Sequence, residues 1–116
     1  MGLRDLAKRL KADSKSLDSE RLQHRFEKFD ATPIAQLTCR TPCTIVGEVK
    51  RMRIAPRHGI PALEVVISDG TGDAVAVFTG RRSIGGMDNG RAVVIEGIAR
   101  DERGRRVMMN PAYTLV

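Results

Sequence analysis

This sequence predicts a mainly β fold: a small five-stranded barrel behind an N-terminal helical extension. Three observations carry the expectation. Beyond Pro33 the chain breaks into short runs rich in β-branched residues, separated by Gly, Pro, Asp and Asn. Two of these runs hold a mid-strand glycine, Ile45-Val46-Gly47-Glu48-Val49 and Ile95-Glu96-Gly97-Ile98, which removes a side chain where a strand must curl to close a barrel. Before Pro33 there is no strand signal, and apolar residues recur at helical spacing. The 116 residues suffice for one folded unit. We therefore read residues 1–31 as the helical extension and 32–116 as the barrel.

In the extension, Leu3, Leu6 and Leu10 are followed by Leu22, Phe26 and Phe29. This is one helix or two, with Ser14 and Ser16 available to cap the second and Asp18 and Glu20 in its first turn, where the helix dipole favours negative charge. Pro33 ends the pattern because proline disfavours helical geometry in the residue before it. The extension carries eight basic and six acidic residues, a near balance that reads as a solvated helix face.

The strands follow in order. Cys43 to Ile54 is long for a strand, and its apolar phase switches near Lys50-Arg51, which a β-bulge reconciles. Ile60 to Ser68 and Ala74 to Phe78 flank Ser68-Asp69-Gly70-Thr71-Gly72-Asp73, a hairpin in which the glycines supply positive φ. Gly72 is expected to be one such position. The segment Gly80 to Arg91 is too long for a tight turn, and Ile84 and Met87, three apart, predict one helical turn plugging the barrel floor. Arg91 to Ala99 is the fourth strand, and Arg105 to Asn110, extended through Tyr113 to Val116, is the fifth.

Composition narrows the function. Hydrophobic residues make up 41% of the chain and charged residues 29%, as in folded soluble proteins rather than disordered ones. No apolar run approaches the roughly 20 residues that span a bilayer, and the first residues are too charged for a signal peptide, so the expected location is the cytoplasm. Leu6 stands where a myristoylation signal requires Ser or Thr. Cys39 and Cys43 lack the further ligands of a structural zinc site and read as reduced thiols, and no cofactor is expected. Catalysis is not expected either: Ser68 has no histidine partner, and Asp69 and Asp73 read as turn residues. The net charge of +6 suits a polyanionic partner.

The curled first strand, the Asp-Gly-Thr-Gly hairpin, the insertion after the third strand and the second glycine-bearing strand together resemble the OB-fold, a five-stranded Greek-key barrel. More specifically, Thr44-Ile45-Val46-Gly47-Glu48-Val49, Ser68-Asp69-Gly70-Thr71-Gly72, Phe78, Gly90 to Gly97 and Asn110-Pro111-Ala112-Tyr113 resemble, in order and spacing, the wedge domain of RecG-type helicases. The resemblance covers about residues 33–116 and implies contact with single-stranded or branched DNA, with RNA as a further possibility. The chain holds no Gly-x-x-x-x-Gly-Lys-Ser/Thr phosphate loop, so the motor activity of those helicases does not carry over.

In an OB barrel the loops joining strands one and two and strands four and five flank the ligand groove. Lys50, Arg51, Arg53 and Arg57, with His58, surround the first; Arg100, Arg103, Arg105 and Arg106 surround the second. Arginine suits phosphate because its planar fork donates paired hydrogen bonds. Arg81 and Arg82 are candidates to extend this track, and Tyr113 to stack on a base, whereas Phe78 reads as core. Aromatic residues are only 3% of the chain, fewer than a stacking platform uses. The alternative function is a protein-interaction or assembly module, with residues 2–30 binding a partner chain or a second copy through their apolar stripe.

Overall fold

A computed structural model describes residues 2–116; the first residue of the expected extension lies outside them. Helix α1 spans Leu3–Phe26, and a 3-10 turn at Ile34–Gln36 leads into six strands: β1 Pro42–Ile54, β2 Ala62–Ser68, β3 Asp73–Thr79, β4 Ala92–Glu102, β5 Arg105–Met109 and β6 Ala112–Leu115. The strands pair in the order β1-β2-β3-β5-β4, and β4 returns to β1, closing a ring; β3 and β5 run parallel and β6 flanks β4. This is the OB-fold connectivity, and the fold class is as the sequence predicts.

Closure depends on the middle of β1. Its first half pairs with β4, its second half with β2, and the two ladders overlap at Glu48, opposite both Ala92 and Ser68. At Gly47 a Cβ would lie 2.4 Å from Ile67 Cγ2 and 2.8 Å from the Ser68 carbonyl, so the strand can bend there only because no side chain intervenes. The expected bulge is present, with register slipping between Val49 and Arg51. Gly97 sits where β4 passes from β6 to β5, against Pro111 and Met108. Inside the barrel, Ile45, Val49, Leu63, Val65, Ile67, Phe78, Val93 and Ile95 form a continuous core.

Several expectations change. The extension holds one helix, so Ser14 and Ser16 are interior helical residues and cap nothing; Gly2 precedes it. Of its stripe only Leu22 and Phe26 are buried, while Leu3, Leu6, Leu10 and Phe29 are 87%, 46%, 60% and 41% exposed, and Leu17, outside the stripe, is 66% exposed. Ile84 and Met87 do plug the core, but through a turn closed by the Met87 N–H donating to the Ile84 carbonyl rather than through a helix. The fifth strand is two. Asn110, at φ +46°, and Pro111, which lacks an N–H, break the ladder, and the chain then crosses to β4. Among the described residues, no helix is long and apolar enough to cross a membrane.

The Asp69–Gly72 hairpin closes the barrel end. The Asp69 carboxylate accepts from the Thr71 N–H and hydroxyl and from the Ile34 N–H at 2.9 Å, tying the 3-10 turn to the hairpin and seating the fully buried Ile34. The glycine at positive φ is Gly70, at +89°, and not Gly72. A Cβ on Gly70 would stand 2.2 Å from the Ser19 carbonyl of α1, so the helix lies directly on this turn.

The helix is fastened by charge. Glu48, buried in β1, accepts from Arg21 at 3.2 and 2.8 Å, from Arg25, and from Lys50 at 3.2 Å; Lys50 also donates to Asp18 at 2.8 Å. The Arg21 guanidinium holds the Glu48 carboxyl below its ordinary 4.5, against the upward push of burial. A carboxyl depressed in the folded state contributes stability above its unfolded pKa and loses it as pH falls through the folded value. Acidification below 4.5 should therefore loosen α1 from β1. Glu48→Gln should remove most of that acid dependence, measured as the change in chemical denaturation midpoint between neutral and acid pH. Gly70→Ala should cost more than about 2 kcal/mol, combining strain at positive φ with displacement of the helix. Gly72→Ala, whose Cβ meets neighbours at 3.4 Å, should stay within about 1 kcal/mol in the same urea titration.

Candidate nucleic-acid interface

Strand alternation gives the barrel an outer face as well as a core. On β2, β3 and β5 the residues that do not enter the interior include Ala62, Glu64, Val66, Val75, Val77, Val107 and Met109, with Arg105 at the start of β5. Ala62, Val66, Val75, Val77 and Val107 form a separate buried apolar cluster of short side chains. Glu64 is the one buried charge among them, only 3% exposed.

Two hairpins bound this face. The connection from β1 to β2 turns at His58 and Gly59, at φ +51° and +77°, closed by paired backbone hydrogen bonds between Arg57 and Ile60. The β4–β5 connection is the two-residue turn Arg103-Gly104, at φ +54° and +82°, with Asp101 accepting from the Gly104 N–H. Both have positive φ at both central residues, the turn whose twist matches the flanking strands.

Between them the arginines meet carboxylates. Arg53 Nε donates to Glu64 at 3.0 Å, and Arg105 and Arg57 each stand 3.5 Å from the same group. Arg57 also forks onto Glu102 at 3.2 and 3.0 Å, joining the first hairpin to the end of β4, and Arg100 donates to Glu102 at 3.0 Å. Burial alone would raise the Glu64 carboxyl, but the Arg53 hydrogen bond and the charge of Arg105 more than offset it and leave it lowered. Glu102 is lowered chiefly by its hydrogen bond to Arg57. Four guanidiniums thus share two carboxylates, leaving two positive charges uncompensated. Exposed Arg51 lines the same depression as Arg53, Glu64, Val66 and Arg105, and Arg82 lines an adjoining one with Met52, Arg53 and Ile54.

The remaining candidates lie elsewhere. Lys50 turns to the helix. Arg106 points away from this face, its Nη1 near Gly72. Tyr113, on β6, packs edge-on against Phe78 at 5.6 Å and shares a separate depression with Arg81 and Asn110. Phe78 is core. Arg103 stands exposed at the tip of its turn. Arg57, a residue of the β1–β2 loop, is half-buried and held by ion pairs to Glu64 and Glu102. Sequence reasoning missed Glu64 and Glu102 as partners of the arginines. The signal was a lone Glu inside Ala62-Leu63-Glu64-Val65-Val66, a charge in a strand that is otherwise apolar on both faces.

A wide concavity lies between residues 30–36 and the β1–β4 edge, but its charged lining is Asp30 and Glu96 with no cation, so it is unsuited to phosphate. Among the described residues no group of three or more His, Cys, Asp or Glu is arranged to hold a metal. Cys39 is exposed and Cys43 half-buried, both as free thiols, with burial pushing the Cys43 thiol up.

No protein-family model and no curated protein sequence matches this chain. Solved structures do. A Replication Protein A heterotrimer bound to ssDNA is similar at a TM-score of 0.50 and 19% identity over 65% of this chain, the match spanning 57% of the Replication Protein A chain. The N-terminal domain of PriB from Thermoanaerobacter tencongensis, described as dimeric, is similar at a TM-score of 0.50 and 18% identity, over 65% of this chain and 94% of that one. Ring closure, the parallel β3–β5 pair and these two likenesses together establish the fold as an OB-fold.

Proposed function

We propose that this protein is a nucleic-acid-binding OB module, without enzymatic activity of its own, that holds single-stranded or branched DNA by its phosphates on the outer face of β2, β3 and β5. The observation that carries the reading is the convergence of Arg53, Arg57, Arg100 and Arg105 on two carboxylates between the two hairpins, with positive charge left over. An arginine fork already set for a carboxylate is set for a phosphate oxygen pair. Arg51, Arg82 and Arg103 extend the positive rim. The short aliphatic side chains of this face are buried beneath the arginines and no aromatic ring stands among them, which favours backbone contact over base stacking. The ssDNA bound by the similar Replication Protein A heterotrimer supports the reading, and the resemblance to the RecG-type wedge supports a branched substrate.

Fluorescence anisotropy of a labelled single-stranded oligonucleotide should show modest affinity that falls steeply with salt. If about four phosphates are neutralised, the log–log slope should be near −3, from about −0.7 per phosphate. Arg51→Ser with Arg103→Ser, two exposed residues outside the ion-pair network, should flatten that slope by about 1.4 while leaving stability within about 1 kcal/mol. Glu102→Gln, which releases Arg57 and Arg100 from their carboxylate, should tighten binding. Absence of binding at low salt, or tighter binding by the double arginine variant, would overturn the proposal.

A second reading, assembly through α1, is favoured by the four exposed leucines, which share one side of the helix. Leu22 and Phe26 do not belong to that surface, being buried on the protein's own barrel. Light scattering on the full chain and on Leu6→Asp/Leu10→Asp tests it: an oligomer that becomes a folded monomer in the variant supports assembly, and a monomer in both excludes it.

A further inference from the structure

Helix α1 is 24 residues long, about 36 Å at 1.5 Å per residue, yet its first contact with the barrel is Asp18 on Lys50, so residues 3–17 project as an arm of about 22 Å. Because the helix is unbroken, positions on the arm can be related to positions on the packed half. Arg4, Lys8, Lys11 and Lys15 recur at intervals of four, three and four, and the same line continues through Ser19, Leu22 and Phe26. Leu22 and Phe26 are the residues the helix buries on the barrel, and the Ser19 carbonyl lies against Gly70. The barrel-facing line of the helix therefore becomes a line of four cations once it leaves the barrel. All four are exposed, and none has a carboxylate partner within 4.0 Å among the described residues. Leu3, Leu6, Leu10 and Leu17 cluster about 140° around the helix from that line, given 100° per residue.

The basic line also leads somewhere. At the root of the arm stands Lys50, 2.8 Å from Asp18; the next residue, Arg51, is exposed and lines the depression that holds Arg53, Glu64 and Arg105. Lys50 is itself paired with Asp18 and Glu48, so the exposed cation nearest the root along β1 is Arg51, and the arm starts beside the strand that carries Arg51 and Arg53 to the outer face.

We propose that the arm is a second nucleic-acid contact, in which Arg4, Lys8, Lys11 and Lys15 hold the phosphates of a strand leaving the barrel face past Lys50 and Arg51. The inference rests on the reading of that face as a nucleic-acid site, and it assigns the charged face of the extension a ligand instead of solvent alone. One cation per helical turn with no aromatic or apolar residue interleaved on the line suits a phosphate backbone and carries no base preference.

The test uses the full chain and unstructured oligothymidylates of about 8 and about 30 nucleotides, titrated at several salt concentrations. The variant is Arg4→Gln/Lys8→Gln/Lys11→Gln/Lys15→Gln, in which glutamine keeps helix propensity while removing charge; circular dichroism checks that the helix persists. The wild type should bind the long strand more tightly than the short one by more than the statistical gain in sites. In the variant the long-strand affinity should drop at least tenfold and its salt slope should flatten by up to about 2.8, while short-strand affinity changes less than twofold. Leu6→Gln/Leu10→Gln should leave both strands unaffected. Equal long-strand affinity and slope in variant and wild type would overturn the arm contact while leaving the barrel site standing. Failure of the wild type to bind either strand at low salt would overturn both. Competition by polyglutamate as effective as by oligothymidylate, lost in the variant, would overturn the nucleic acid as the arm's ligand in favour of an acidic protein.

Discussion

Around Gly47 and Glu48 a single strand is asked to do three things at once. The backbone of β1 passes from the β4 ladder to the β2 ladder there, the missing Cβ of Gly47 lets it bend, and the Glu48 carboxylate reaches out to collect Arg21, Arg25 and Lys50. Barrel closure and helix attachment thus share one point of the chain. A buried carboxylate costs several kcal/mol of lost hydration unless hydrogen bonds replace the water, and three cations do so here. The arrangement fixes which face of α1 meets the barrel and, through an unbroken helix, which face of the arm looks the same way.

A similar economy governs the outer face. The arginines there are held by Glu64 and Glu102, so they are ordered before any ligand arrives, at the cost of part of their charge. Pre-ordering lowers the entropy lost when a long side chain engages a phosphate, and partial neutralisation limits indiscriminate attraction to polyanions. Arg57 shows the compromise most clearly: it binds Glu102 with both fork nitrogens while its Nε is buried without a protein partner.

The strands, the bulge and both curling glycines were legible because each rests on local chemistry: alternation, phase and the absence of a Cβ. The hairpin was legible as a turn, but the burden of its two glycines was not, because what singles out Gly70 is the Ser19 carbonyl of a helix far earlier in the chain. The break at Asn110-Pro111 was written in plain view, yet β5 and β6 continue the same apolar texture, and only their different partners, β3 with β4 against β4 alone, separate them. For the site, charge counting found the basic residues on the two connections. It could not find their partners, since Glu64 is opposed to Arg53 by strand register and Glu102 to Arg57 by the closeness of two hairpins distant in sequence.

Every strand of the ring has neighbouring strands on both sides, but β6 pairs only with β4, and the backbone groups on its far side have no strand partner among the described residues. Ala112, Tyr113 and Thr114 on that edge are exposed. An open edge is a template on which another extended chain can add, which is how soluble β proteins come to aggregate. Here the edge is four residues long and begins directly after a proline, so an incoming strand finds too few donors and acceptors to hold. Lengthening β6 would change that, turning the quiet seam of the barrel into its stickiest surface.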